Sequence, residues 1–249
     1  MTTHYYHYEI LALIRKHSGK PTQHTFLDSY LGNQHPRYPI NVPTLRSLAK
    51  GWMKAHRDLS AGVFKKVLTS LVQGKSSTEK CMTGILLDLS TRPQRKFDPG
   101  VFDQWLEHLV GWAEVDSVCT GAYTRFEIAE NWNRWKKLLV QFSKSKNINK
   151  RRASIVLLCS PLQGARDVRL VQMAFHNIDR LKGEKEILIT KAVSWVLRSA
   201  VKHHKSEVKK YVALNKDSLP SIAVRETVTV LKTGKKTSPI PIGAKTKIS

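Results

Sequence analysis

The sequence predicts an all-α protein built from stacked helix pairs, and two observations carry that prediction. Apolar residues recur at three-to-four spacing in segment after segment, which is the period of a helix turning one face to a core. No segment shows the strict alternation of a half-buried strand. A chain of 249 residues is long enough to bury a core as one large domain or two small ones.

Each helix announces itself with local chemistry. In "SSTEK", Ser76 stands as an N-cap with Glu79 three residues on, the reciprocal capping box. "FDPGVFDQWLEHLV" offers Asp98 as a cap and Pro99 at the first helical position, where a missing N–H costs nothing. Later helices are expected to begin near Asn149, Asp167, Glu184, Ser206 and Ser218, each followed by apolar residues at helical spacing. Cys81, Cys119 and Cys159 are odd in number, lie in apolar helical contexts and lack metal-ligand spacing, so they read as buried reduced thiols. His4 and His7 of "HYYHYE" have no further ligands nearby and read as solvated surface. "VKHHKSEVKK" reads as a solvated helix end.

Internal repetition turns a set of helices into an architecture. Set one above another, "KCMTGILLDLS", "DSVCTGAYTRF", "RASIVLLCS", "KAVSWVLRSAV" and "RETVTVLK" each open on a charged residue and continue as a mostly apolar helix. Their openings, Lys80, Asp116, Arg152, Lys191 and Arg225, stand 36, 36, 39 and 34 positions apart. Such a period fits a HEAT-like repeat solenoid of stacked antiparallel helix pairs with a concave basic groove, each pair burying its apolar face against its neighbours. A non-repetitive helical bundle is the other arrangement these helices allow. The expected organisation is a single domain over residues 1–232 and a flexible basic tail over 233–249.

Charge narrows the partners. Lys and Arg outnumber Asp and Glu by 42 to 19, a formal net charge of +23, so a polyanion is attracted at long range. Nucleic acid is the first candidate and an anionic membrane surface the second. No apolar run approaches the roughly 18 to 20 residues that cross a bilayer, and "MTTHYYHYEI" lacks the layout of a signal peptide, so the chain reads as cytoplasmic. Phosphate-binding glycine loops, nucleophile elbows and paired metalloprotease histidines are missing from the sequence, and neither a nucleotide cofactor nor a metal is expected.

Within the basic register, Asp116 is the exception. Residues four apart share a helix face, so Trp112 falls one turn before Asp116 and Trp195 one turn after Lys191. Two readings stand for this set. Both tryptophans are core residues and Asp116 is a helix cap, or the set lines a surface that binds and acts. The second suits a particular chemistry. Lys and Arg rows neutralise phosphates, indole faces offer a wall to a sugar or base, and a fixed carboxylate stabilises the positive charge that develops when an N-glycosidic bond breaks. A base already cationic through alkylation departs without a general acid.

The residues also carry a resemblance. "GWAEVDSV", "KRRASIVLL" and "KAVSWVLR", with a weaker match in "INVPTLRSLAK", resemble segments of the DNA alkylation repair glycosylases built from HEAT-like repeats, over positions from about 40 to 200. The resemblance implies a groove that binds double-stranded DNA containing alkylated purines and hydrolyses the glycosidic bond of 3-methyladenine or 7-methylguanine. It implies that Trp112 and Trp195 pack against the damaged nucleotide, that Asp116 is the catalytic carboxylate, and that Arg152 grips phosphate, with Asn41, Lys191, Arg151 and Arg225 as further DNA contacts. A monomer associated with the bacterial nucleoid through DNA is expected. Gly111 and Glu114 depart from the family pattern, which has an aromatic directly before the Trp112 position and a small polar residue two places before the Asp. Relatives that lost the catalytic set bind DNA only, so a noncatalytic DNA-binding or scaffold protein is the alternative.

Overall fold

The computed structural model describes residues 3–22 and 32–236. Among them the regular structure is helical, with one isolated antiparallel bridge between Thr22 and Arg37. The helices are α1 (Thr3–Lys16), α2 (Val42–Ala55), α3 (Ala61–Val72), α4 (Ser77–Leu89), α5 (Val101–His108), α6 (Gly111–Cys119) and α7 (Ala122–Glu130) in the first part of the chain. They continue as α8 (Trp132–Ser143), α9 (Ile148–Val156), α10 (Cys159–Gly164), α11 (Val168–Leu181), α12 (Ile187–Ala200), α13 (Lys205–Leu214) and α14 (Ser221–Thr233).

These helices form an α-helical repeat solenoid of two layers. In one layer α2, α4, α6, α9, α12 and α14 follow one another, each packed on the one before. In the other, α3, α8, α11 and α13 each pack on a helix of the first, α5 lies against α3 and α9, and α1 covers α3. The five charged residues that opened the sequence register fall on α4, α6, α9, α12 and α14, consecutive members of a single layer.

The repeat is visible in the bonding as well as the packing. Trp105 Nε1 donates to Thr69 Oγ1 at 2.9 Å, Gln163 Nε2 to Ser199 Oγ at 3.0 Å, and Gln94 Nε2 to the His56 carbonyl at 3.0 Å, over separations of 36, 36 and 38 residues. Each bond ties one repeat to the equivalent place in the next. The centre is filled by aromatics: Phe102 lies 5.0 Å from the Trp105 ring, 5.0 Å from Trp135 and 6.0 Å from Tyr123, all fully buried.

Local chemistry sets the starts at Ser76 and Asp167 as expected. The capping box at Ser76 is complete, with Glu79 N–H donating to Ser76 Oγ and Ser76 N–H to Glu79 Oε2. Asp167 caps α11 by accepting from Arg169 N–H. Elsewhere the start moves by a few residues. Asp98 accepts from Gly100 N–H and makes a turn of its own, so α5 opens at Val101, and Asn147, not Asn149, caps α9. Cys119 and Cys159 are buried free thiols and Cys81 is half-buried.

Two histidines depart from the expected solvated surface. His7 is half-buried, with Nδ1 2.7 Å from Ser70 Oγ and Nε2 2.9 Å from Glu79 Oε1, so it ties α1 to α3 and α4. His204 is buried at the start of α13, where the cap turns inward. The side chain of His4 and the tail from 237 lie outside the described residues.

The spacing of α4 and α6 rests on Gly84. A Cβ built there would sit 1.8 Å from the Ser117 carbonyl oxygen, and backbone cannot swing aside as a side chain can. Gly84→Ala is expected to cost about 1 to 3 kcal/mol or more by overpacking. Gly62→Ala meets nothing within 4 Å and is expected to gain up to about 1 kcal/mol from helix propensity. Chemical denaturation of the two variants beside the parent checks the contrast.

Candidate active site

Asp116 sits inside α6 and caps nothing. The helix starts at Gly111, whose φ of +76° lies in the left-handed region, so an aromatic at this place would strain the entry as it stands. Glu114, fully buried, closes the helix start by accepting from Val110 N–H at 2.8 Å and pairing with His35 Nδ1 at 3.1 Å. Gly111 and Glu114 therefore build the turn that precedes Trp112 and Asp116 on α6. Trp112 is half-buried.

The Asp116 carboxylate is held side-on by the Nε–Nη2 edge of one guanidinium. Arg152 Nε donates to Oδ1 at 2.8 Å and Nη2 to Oδ2 at 2.7 Å, a bidentate pair across 36 residues that bridges α6 and α9. Arg152 Nη1 donates to the Leu188 carbonyl and so reaches the next repeat. Burial pushes the Asp116 carboxyl above its ordinary range, and the Arg152 guanidinium opposes that shift. One N–H on each oxygen is the arrangement of the ionised form.

The pair opens on a cleft of about 420 Å³ lined by helices of the first layer. Trp112 and Trp195 supply aromatic surface, and Ile187, Leu188 and Ile222 supply aliphatic surface. Lys191, Arg198, Glu226 and Lys236 bring charge. Trp195 is half-buried, packs on the core and lines the cleft, so the two sequence readings of this residue are both partly met.

Of the residues expected to act together, the cleft collects Trp112, Asp116, Arg152, Lys191 and Trp195. Arg152 differs from the expected phosphate grip: it is 3% exposed, and its donors are engaged by Asp116 and Leu188. Arg151 holds Glu184 through Nε and Nη2 and the carbonyls of Ser145 and Lys146 through Nη1, away from the cleft. Asn41 is the N-cap of α2, accepting from Thr44 N–H at 2.9 Å. Arg225 is exposed on α14 beside the cleft and does not line it. Lys80 is buried, with Nζ on the Val72 carbonyl at 2.6 Å, so the basic register does not continue to it as an open row.

Sequence reasoning missed Arg198 and Glu226. The signal for Arg198 was available, because Lys191, Trp195 and Arg198 stand at i, i+4 and i+7 on one helix face. Glu226 stands one place beyond the register residue Arg225, which gave no hint of its direction.

A larger cavity of about 1010 Å³ lies between the α4–α5 link and α7, and four of its charged residues pair with one another. Arg92 pairs with Glu130 and Arg134 with Asp98, each at 3.3 Å. Among the described residues no cluster of His, Cys, Asp and Glu is placed to hold a metal ion, and no helix is long and apolar enough to cross a membrane.

Fold and site together define a helical-repeat protein with an arginine-held carboxylate in a tryptophan-walled cleft. Residues 13–231 match the model of a family described as DNA alkylation repair enzyme, and the chain belongs to that family. No curated protein sequence matches it. Its fold is similar to that of a protein described as a predicted DNA alkylation repair enzyme from Enterococcus faecalis, with a TM-score of 0.67 at 17% identity, covering 83% of this chain and 93% of that one.

The ion pair makes a sharp prediction about Arg152. An exposed phosphate-gripping arginine would cost little stability on removal, whereas Arg152→Ala leaves Asp116 uncompensated and is expected to cost about 3 to 5 kcal/mol. Trp195→Ala, half-buried, is expected to cost less than Trp105→Ala, for which full burial implies about 3 to 5 kcal/mol. Denaturant midpoints for the three variants decide both points.

Proposed function

We propose that the cleft hydrolyses the N-glycosidic bond of cationic alkylated purines, of the 3-methyladenine and 7-methylguanine kind, in duplex DNA. The observation that carries this reading is the bidentate Asp116–Arg152 pair beside Trp112 and Trp195. A carboxylate alone in a protein that attracts phosphates is repulsive to its own ligand. Fixed by Arg152, it is oriented and ready to stabilise the positive charge that grows on the sugar as the bond to the base lengthens, or to orient the attacking water.

The other residues take roles consistent with their places. Trp112 and Trp195 form walls for the sugar and backbone of the damaged nucleotide. Arg152 is a positioning residue for Asp116. Lys191 in the cleft, Arg225 beside it and Asn41 on α2 of the same layer serve as contacts to DNA, with the first layer forming the concave basic groove. The base, already positive, leaves without a general acid, and no cofactor is required. The protein acts as a monomer.

Asp116→Asn tests the chemistry. It is expected to slow base release from methylated duplex DNA by two to three orders of magnitude, about 2.7 to 4 kcal/mol. Duplex affinity is expected to hold or rise slightly, because an acid is removed and Arg152 is partly released. The assay belongs below the melting transition of the variant, since the same change weakens a buried pair. Base release close to that of the parent would return Asp116 to a purely structural role, whereas no base release by the parent itself would favour a noncatalytic DNA-binding module.

The groove is tested by salt. Duplex affinity is expected to fall steeply between low and physiological salt, with a log–log slope near −0.9 for each phosphate neutralised and slight sequence preference. Affinity that barely responds to salt would count against the groove and point to a protein partner.

A further inference from the structure

Two arginines line the cleft, and they differ in what remains of their hydrogen-bonding capacity. Arg152 spends Nε and Nη2 on Asp116 and Nη1 on Leu188. Arg198 is pinned only through Nε, which lies 3.2 Å from Glu226 Oε2 and 3.3 Å from Ser194 Oγ. Its two terminal amino groups have no hydrogen-bond partner among the described residues.

The pin is itself well made. Ser194, almost fully buried, donates to the same Glu226 oxygen at 2.6 Å. Lys236 Nζ lies 3.4 Å from the other carboxylate oxygen, half-exposed at the rim of the cleft. Burial works to raise the Glu226 carboxyl, but the Ser194 hydroxyl and the charges of Arg198 and Lys236 outweigh it and hold the group below its ordinary range. The single Nε hydrogen bond goes to Ser194 Oγ, and the Glu226 carboxylate, ionised at neutral pH and 3.2 Å from Nε, adds charge attraction on the same side, so the plane of the guanidinium is set. The four N–H bonds on the far side then form a fork whose spacing matches two oxygens of a phosphate.

We propose that Arg198 is the phosphodiester-binding fork of this cleft and that Glu226, with Ser194, is its positioning residue. The assignment rests on the duplex-binding reading above. It divides labour between the two arginines: Arg152 orients the carboxylate that acts on the sugar, and Arg198 takes the backbone of the same nucleotide. The geometry of α12 supports the division, because Arg198 lies on the helix face of Lys191 and Trp195, three residues beyond the tryptophan that walls the cleft. Glu226 also loses its apparent contradiction. An acid in a phosphate-binding cleft is tolerable when its charge is matched by Arg198 and Lys236.

The experiment is duplex binding as a function of salt, with methylated and unmodified duplexes as probes, for four variants of the full chain. Arg198→Gln is expected to weaken binding about ten- to a hundredfold and to reduce the log–log slope by about 0.9. Arg198→Lys keeps the charge and loses the fork, so the slope should stay near the parent value while affinity still falls. Lys209→Gln, an exposed charge on α13 in the other layer, controls for general charge loss and should change affinity far less. Glu226→Ala decides the positioning role by its sign: binding should weaken even though a negative charge has been removed. A parental slope and affinity in Arg198→Gln would overturn the fork, and tighter binding by Glu226→Ala would overturn the positioning role. If the parent releases methylated bases but Arg198→Gln binds like the parent, this assignment fails alone; if the parent does not bind duplex DNA at all, the proposed function fails and takes it along.

Discussion

The bidentate pair between Asp116 and Arg152 is the interaction on which the cleft depends. It joins α6 to α9 across one full repeat, and the third contact of the same guanidinium, to the Leu188 carbonyl, carries the connection to the start of α12. Three successive helices of one layer are thus fixed by a single side chain. As a source of stability such a pair is a poor choice, since burying two charges costs about as much as their attraction returns and an apolar pair of the same volume often does as well. What the pair provides is position: a carboxylate held to one orientation at the edge of a space large enough to admit part of a nucleotide.

Around that pair the cleft is organised as two arginine–carboxylate units of different character. Asp116 and Arg152 are nearly closed to solvent and satisfy each other. Glu226 and Arg198 are more open, an ion pair at 3.2 Å linked through Ser194, which accepts from Arg198 Nε and donates to Glu226, with Lys236 beside it. In a chain of net charge +23, neutral units of this kind keep acids in a cationic surface without cancelling its attraction for a polyanion. The tryptophans and the aliphatic residues beside them give the cleft an apolar wall, and charge interactions are stronger against apolar surface than in bulk water.

The solenoid explains why these groups can be built from distant parts of the chain. Equivalent positions of adjacent repeats lie side by side, so residues about 36 apart become neighbours, and the same relation that gives Trp105 its bond to Thr69 in the core gives Asp116 its partner in the cleft. The close approach of α4 and α6 at Gly84 and the left-handed turn at Gly111 set where the carboxylate helix begins and how near it lies to its neighbour. Glu114 and His35 then lock that start.

The sequence by itself determined the helices, their repeat and the surface layer on which the chemistry-bearing residues gather, because helical periodicity and a repeat near 36 residues are local patterns that a linear reading preserves. It placed Trp112, Asp116, Arg152, Lys191 and Trp195 on one face, and the cleft joins all five. Only the tertiary structure decided the role of each charge. Whether an arginine faces outward to phosphate or inward to a carboxylate depends on what the neighbouring repeat presents to it, and that is a relation between residues tens of positions apart. So Arg152 turned to Asp116, Arg151 to Glu184, and Lys80 to the Val72 carbonyl, while Arg198 lines the cleft and bonds through Nε alone among the described residues. A long cationic side chain looks the same in sequence in either state, and burial beside an acid is what separates them.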